Sequence, residues 1–130
     1  MNKYWLVLIF ATLYLSDRIA KLFFKKILLI NADGFYGLIP GSNLIFIIVS
    51  FMIIPVLATI MLKTKNPMIE SGVVLVITGA FANLTDRILF GGALDIEIRI
   101  FDLSNALNLA DIYIAAGIII LIISTMISHD

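Results

Sequence analysis

The sequence predicts an all-α membrane protein with four transmembrane helices and one short β-like segment. Hydrophobic residues make up 62% of the chain and charged residues only 14%, and the mean hydropathy is +1.11. This composition is typical of integral membrane proteins, in which each helix needs about 20 mostly apolar residues to cross the bilayer. The 130 residues accommodate four such spans and leave no room for a separate soluble domain. We therefore expect residues 1–130 to form one four-helix domain.

Four apolar stretches define the predicted spans. The first begins after Lys3 and resembles a secretory signal, but no small-residue cleavage site follows it, and Asp17, Arg18 and Lys21 come at once. We therefore expect a retained first helix. The predicted spans are residues 4–24, 44–62, 68–90 and 107–127.

The β-like segment lies between the third and fourth spans. Apolar and charged residues alternate from Leu94 to Ile100, which is typical of a half-buried strand. Such a strand can lie at the membrane surface with Asp95, Glu97 and Arg99 on its polar face. Considered alone, Asp95 is then one charge on a solvated face.

Charge and composition exclude several classes of function. Nine basic and nine acidic residues give no net charge, so we expect no nucleic-acid partner. The chain has no cysteine, which excludes thiolate metal sites and a cysteine nucleophile. The single histidine, His129, lies at the C-terminal tip. We therefore expect neither a metal nor a cofactor.

The charges concentrate on one face of the membrane. Four up-and-down helices bring the end of the first, the start of the second, the end of the third and the start of the fourth to the same face. Six of the nine basic residues fall there, and the positive-inside rule would make that face cytoplasmic. Several of these bases can pair with nearby acids or snorkel, so the rule leaves the orientation open. The bases on this face are Arg18, Lys21, Lys25, Lys26, Arg87 and Arg99, and the acids are Asp17, Asp33, Asp86, Asp95, Glu97, Asp102 and Asp111.

Asp86 and Asp111 are acids at the edges of apolar spans, each preceded three residues earlier by an asparagine. A charge near the bilayer centre costs at least roughly 2.5–3.5 kcal/mol, so such acids are usually functional. Asp86 next to Arg87 indicates a buried salt bridge. Asp111 has no basic residue within one helical turn. It must find a partner elsewhere, bind a cation, hold a proton, or cap its helix in interfacial water.

Asp17 and Lys21 are four residues apart and can form an ion pair on one helical face. Asp95 and Asp111 suggest a different chemistry. Two carboxylates held close together share a proton, and such a pair can activate water to attack a peptide carbonyl without a metal. Spacing alone does not show that the two carboxylates meet.

Four motifs occur in one order along the chain. They are Asp17-x-x-x-Lys21, Gly79-x-x-x-Asn83-x-x-Asp86-Arg87, an acid (Asp95) nine residues after Asp86, and Asn108-x-Ala110-Asp111. Together they resemble the motifs of the bacterial lipoprotein signal peptidases (signal peptidase II), over essentially the whole four-helix plan.

The resemblance implies an aspartyl endopeptidase of the bacterial inner (cytoplasmic) membrane. It would remove signal peptides from diacylglyceryl-modified prolipoproteins, with its active site and its β-like segment toward the extracytoplasmic face. Carried over position by position, Asp95 and Asp111 form the catalytic pair. We expect a monomer surrounded by membrane lipids. The supporting residues are Asn83, Arg87 and Asn108 beside the substrate, Asn31 in the first loop, Asp86 as a structural partner, and Asp17 with Lys21 at the entrance.

The chain departs from the family in its first loop. Only nine residues separate Lys21 from Asn31, and Asp33 stands where the family has the first glycine of an N-x-G-x-x-F-G block, although Tyr36 and Gly37 fit. The shorter loop implies that this chain binds its substrate differently from the family. One alternative is therefore a non-catalytic relative that binds lipidated or membrane peptides. Another is an ion or proton conductor. That alternative is disfavoured because the acids gather at one edge instead of spreading through the bilayer depth.

Overall fold

The protein folds into four helices and a three-stranded antiparallel sheet in a computed structural model. The structure describes residues 3–33, 41–100 and 103–127, with the backbone alone for 98–100 and 103–105. The elements are α1 (Lys3–Phe23), a short 3₁₀ turn (Lys25–Ile27), β1 (Leu28–Asn31), α2 (Asn43–Lys63), α3 (Pro67–Phe90), β2 (Ala93–Ile100), β3 (Leu103–Leu107) and α4 (Leu109–Ile127).

The four predicted helices are confirmed, with ends that differ by one or two residues. The fourth helix begins at Leu109, not at residue 107, because Leu107 ends β3 and Asn108 precedes the helix. The sheet is larger than the single β-like segment that the alternation predicts. β2 matches that segment, while β1 and β3 flank it and carry no comparable pattern of alternating charge.

Local sequence explains where α3 begins and ends. The side chain of Asn66 accepts a hydrogen bond from the Met68 backbone N–H at 2.9 Å, and Pro67 occupies the first helical position. Proline suits that position because its missing N–H would have no partner there. The helix ends at Gly91, whose φ of 79° lies in the left-handed region that glycine adopts without steric cost.

α3 is the central helix of the bundle. It contacts each of the other three helices. Half of its most apolar stretch is buried inside the bundle, whereas none of the corresponding stretch of α2 is buried. The outward surfaces of the helices are apolar, as expected where lipid replaces water. Within the described residues, three helices (α2, α3 and α4) are long and apolar enough to cross a membrane, whereas α1 carries several charged residues near its C-terminal end.

α3 and α4 approach each other closely at Gly79. A Cβ atom at this position would lie 2.3 Å from the backbone oxygen of Ala110 and 2.7 Å from the Cγ1 of Ile114. Only glycine allows this approach without displacing a helix. The contact places the start of α4 directly against the C-terminal half of α3.

The two ends of the bundle are built differently. At one end, Lys3 Nζ donates to the backbone oxygens of Met61 (2.7 Å) and Thr64 (3.1 Å) and to the carboxylate of Glu70, which links α1, the end of α2 and the start of α3. The sheet lies at the other end, in the order β1-β2-β3. β1 and β2 pair antiparallel with Asn31 opposite Ala93.

Candidate active site

Asn108 and Asp111 cap the start of α4 reciprocally. The Asn108 side-chain oxygen accepts from the backbone N–H of Asp111 at 2.9 Å, and Asp111 Oδ2 accepts from the backbone N–H of Asn108 at 3.2 Å. This is the geometry of a capping box, here made by asparagine and aspartate. One oxygen of the Asp111 carboxylate therefore caps the helix, which fixes the direction of the group. The other oxygen remains available to a second donor.

Asn83 of α3 supplies that donor. Its side-chain Nδ2 donates to Asp111 Oδ1 at 2.8 Å, while its Oδ1 accepts from Asn108 Nδ2 at 3.0 Å. The close approach of α3 and α4 at Gly79, one helical turn before Asn83, brings these groups together. The asparagine three residues before Asp86 is thus a partner of Asp111, which the spacing on α3 does not reveal.

Asp95 on β2 is held by the same network. Its Oδ1 accepts from Asn108 Nδ2 at 2.5 Å, and its Oδ2 accepts from Asn31 Nδ2 at 2.9 Å. Only 2% of Asp95 is exposed, so it does not lie on a solvated strand face. Asn108 donates its side-chain Nδ2 to Asp95 Oδ1 and its backbone N–H to Asp111 Oδ2, and it thereby connects the two carboxylates.

Both carboxylates line a single cavity of about 360 Å³. Its wall also includes Asn31 and Asn83, the guanidinium-bearing Arg87, and small or apolar side chains from α2, α3 and α4. Among the described side chains, the carboxylate oxygens of Asp95 and Asp111 accept hydrogen bonds from amide groups only. No group of three or more His, Cys, Asp or Glu side chains suited to a metal ion occurs in the described ranges.

Arg87 is positioned by the start of α2. Its Nη1 donates to Asn43 Oδ1 at 3.1 Å, and its guanidinium carbon lies 4.5 Å from the centroid of the Phe46 ring. A cation over an aromatic face is attracted by the electrons of the ring. These contacts hold a positive charge in the cavity wall near, but not in contact with, the two carboxylates.

Asp86 belongs to a separate buried ion cluster next to the cavity. It accepts from Arg18 Nη1 and Lys21 Nζ, each at 2.6 Å, and both bases also contact Asp17. The predicted Asp17–Lys21 pair is confirmed at 2.8 Å. The cluster contains two acids and two bases, so its formal charges cancel, as burial requires.

The predicted salt bridge between Asp86 and Arg87 is wrong. Consecutive residues of a helix point about 100° apart, so Asp86 faces α1 while Arg87 faces α2. Sequence reasoning also missed Arg18 as a member of the cluster. Its position directly after Asp17 was a signal, but no local pattern connects it to Asp86, which lies 68 residues later.

The ion cluster is joined to the cavity through the backbone. Asp86 Oδ2 accepts from the backbone N–H of Leu94 at 3.2 Å, and Leu94 immediately precedes Asp95. The structure therefore brings eight of the nine predicted site residues into two adjoining networks, one of amides and carboxylates and one of paired charges, and it places the ninth, Arg87, in the wall of the cavity. The predicted positions Tyr36, Gly37, Asp102 and His129 lie outside the described residues.

Comparison with known sequences decides the family. The sequence model described as signal peptidase (SPase) II matches residues 1–127 of the chain. The chain belongs to the signal peptidase II family. It is a multi-pass membrane protein of a protease family.

Individual relatives agree with this membership. The lipoprotein signal peptidase of Anaplasma phagocytophilum is 29% identical over 125 residues, covering 80% of each chain. That of Caldicellulosiruptor bescii is 33% identical over 70% of this chain and 59% of its own length. That of Halothermothrix orenii is 34% identical over 72% of this chain and 63% of its own. The chain thus spans less than two thirds of the length of these last two relatives.

Solved structures share the fold. A bacterial membrane enzyme determined by the in meso method at 2.3 Å superposes with a TM-score of 0.82 at 23% identity, over 96% of this chain and 89% of that one. A second, at 1.9 Å, gives 0.77 at 22% identity, over 92% and 91%. The arrangement of four helices with a small sheet is therefore the fold of known membrane enzymes.

Proposed function

We propose that this chain is an aspartyl endopeptidase that removes signal peptides from diacylglyceryl-modified prolipoproteins, with Asp95 and Asp111 as its catalytic pair. The observation that supports this proposal is that both carboxylates line one cavity and both are bound by Asn108. The names of the relatives, lipoprotein signal peptidases, supply the substrate class.

The proposed chemistry needs one proton shared between the two acids. The ionised carboxylate takes a proton from water as the water oxygen attacks the peptide carbonyl carbon, and the protonated carboxyl donates its proton to the carbonyl oxygen. The C–N bond then breaks as the leaving amine takes the proton from the first carboxyl, and the second carboxylate takes a proton back from a hydroxyl of the tetrahedral intermediate, so that the pair again holds one proton. Neutral amide donors suit this cycle better than a bound cation, because they hold each carboxyl oxygen in place and favour the ionised form less strongly than a directly paired positive charge does.

The surrounding residues have separate roles in this proposal. Asn31, Asn83 and Asn108 hold the carboxyl groups in place through the hydrogen bonds described above. Arg87, fixed against α2, offers N–H groups to backbone carbonyls of a peptide in the cavity. The cluster of Asp17, Lys21 and Asp86 supports β2 behind the site.

We propose that the protein lies in the bacterial inner membrane as a monomer with the cavity toward the extracytoplasmic face. The positive-inside rule counts charges in loops near the ends of spans. Arg18 and Lys21 are bound to buried acids inside the bundle, so they do not act as loop charges. The remaining excess of bases at this end is small, which removes most of the argument for a cytoplasmic site.

The proposal is tested by replacing each acid with its amide. Asp95→Asn and Asp111→Asn should lower cleavage of a lipidated precursor about 100-fold to 10,000-fold, because general acid–base catalysis contributes that much. Asp33→Asn is the matched control, since the hydrogen bond described for Asp33 is the one it accepts from the backbone N–H of Gly41, and Asp33 is not among the described residues that line the cavity. Near-normal turnover by either site variant would refute the assignment. Binding of a lipidated peptide without hydrolysis by the unmodified protein would instead indicate the non-catalytic relative.

A further inference from the structure

A second cavity lies on the other face of β2. It has a volume of about 170 Å³, and its wall is almost entirely apolar. Successive side chains of a strand point to opposite faces, so Leu94 and Ile96 line this cavity while Asp95 lines the catalytic one. The apolar wall is formed mainly by Ala20, Phe24, Leu94, Ile96, Leu107 and Ile112.

The polar residues at this cavity bond mainly to other protein groups; the exception is the buried Asp17 Oδ1, which has no hydrogen-bond partner among the described residues. Asp17 and Lys21 contribute to the lining, but their charged atoms are bound to each other at 2.8 Å. Asn108 also contributes and donates its side-chain amide to Asp95 and Asn83. The accessible wall of the cavity is nevertheless almost entirely apolar, and cavities of about 150 Å³ with apolar walls take up hydrocarbon in preference to water.

The rim of the cavity faces the lipid. Phe24 and Ile112 line it and are 47% and 49% exposed. The neighbouring Phe23 and Leu22 are 83% and 72% exposed. Exposed apolar and aromatic residues at the end of a membrane helix contact the acyl chains and the interfacial region. A lipid chain can therefore reach the cavity directly from the bilayer.

Two lysines directly follow the rim. Lys25 and Lys26 form the 3₁₀ turn after Phe24, and both are exposed. Within the part of the chain that the structure describes, neither takes part in an ion pair, in contrast to Arg18 and Lys21. Exposed lysines at a membrane surface attract anionic headgroups.

We propose that this end of α1 is a binding site for one anionic phospholipid of the bilayer, with an acyl chain in the apolar cavity and the phosphate at Lys25 and Lys26. The positive charges of Lys25 and Lys26 select an anionic phospholipid over an uncharged diacylglyceryl group, which has the same acyl chains but no phosphate. The site lies behind the catalytic strand, and the proposal does not depend on the proposed protease activity.

The test measures lipid binding to the purified full-length protein in neutral detergent by native mass spectrometry. Phosphatidylglycerol, phosphatidylcholine and diacylglycerol with identical chains are compared. Each lysine near an anionic group contributes a factor of about five in affinity, so phosphatidylglycerol should bind about 25-fold more tightly than the other two. Lys25→Gln with Lys26→Gln should abolish that preference, whereas Lys63→Gln with Lys65→Gln, at the opposite end of the bundle, should leave it unchanged.

A second pair of variants tests the cavity. Ala20→Leu should weaken binding of all three lipids by filling the cavity, and Ala115→Leu, on an exposed face of α4, should not. A phosphatidylglycerol preference that survives loss of both lysines would overturn the headgroup assignment. Binding unaffected by Ala20→Leu would overturn the cavity assignment. The lysine variants change exposed residues only, so the headgroup test does not depend on whether Ala20→Leu folds.

Discussion

Replacing Asn108 separates the structural and functional roles of the residue that connects the two acids. Asn108 is 3% exposed, caps α4 through its Oδ1, and donates its Nδ2 to Asp95 and to Asn83. Asn108→Ala removes all of these contacts. Asn108→Ser retains a capping oxygen but removes the two donated hydrogen bonds, because serine is a good N-cap and is too short to reach Asp95.

The magnitudes follow from the contacts. A lost N-cap costs about 1 kcal/mol, a lost hydrogen bond to a charged carboxylate about 2 kcal/mol, and one between neutral amides about 1 kcal/mol. Asn108→Ala should therefore lower the free energy of unfolding by about 4 kcal/mol and Asn108→Ser by about 3 kcal/mol. Both variants should lose most of the cleavage activity, since Asp95 Oδ1 loses its only side-chain donor among the described residues.

Unfolding is followed by circular dichroism in mixed micelles with increasing denaturing detergent. Turnover is measured with a lipidated precursor under conditions in which both variants remain folded. Equal stability of the two variants would refute the capping role of Asn108. Wild-type turnover by Asn108→Ser would refute its role in positioning Asp95.

Two further predictions concern the support of the site. Asp86→Asn should lower the free energy of unfolding by about 3 kcal/mol, because Arg18 and Lys21 lose a buried partner. Asp33→Asn is the exposed control. A decrease below about 1 kcal/mol for Asp86→Asn would contradict a stabilising role of the ion cluster. Gly79→Ala should cost about 2 kcal/mol and slow cleavage, because its Cβ would lie 2.3 Å from the backbone oxygen of Ala110 and displace the start of α4. The same unfolding and cleavage assays apply, and wild-type behaviour of Gly79→Ala would show that the helices do not approach this closely.

The sequence was sufficient for the helices because their signals are local. Long apolar stretches, the Asn66-Pro67 start of α3 and the Asn108–Asp111 pair each act over a few residues. The alternation from Leu94 to Ile100 likewise predicts β2. β1 and β3 have no such local signal, since their conformation depends on pairing with β2.

The site was predicted in part. The motifs predict that Asp95 and Asp111 act together, but the hydrogen bonds that link them depend on residues from four different elements. Asp86 was expected to pair with its neighbour Arg87. The structure instead pairs it with α1, because the direction in which a helical side chain points is set by how the helix packs.

By itself, the sequence determined the membrane character, the number of helices and the concentration of acids at one end of the bundle, since hydropathy and motif spacing are properties of the chain read in one dimension. Only the tertiary structure decided which partner each charged side chain has and where the apolar cavity behind β2 forms. The partners of Asp86 depend on the packing of α1 against α3. The cavity depends on the meeting of α1 with β2, β3 and the start of α4. These contacts join residues that are far apart in the chain.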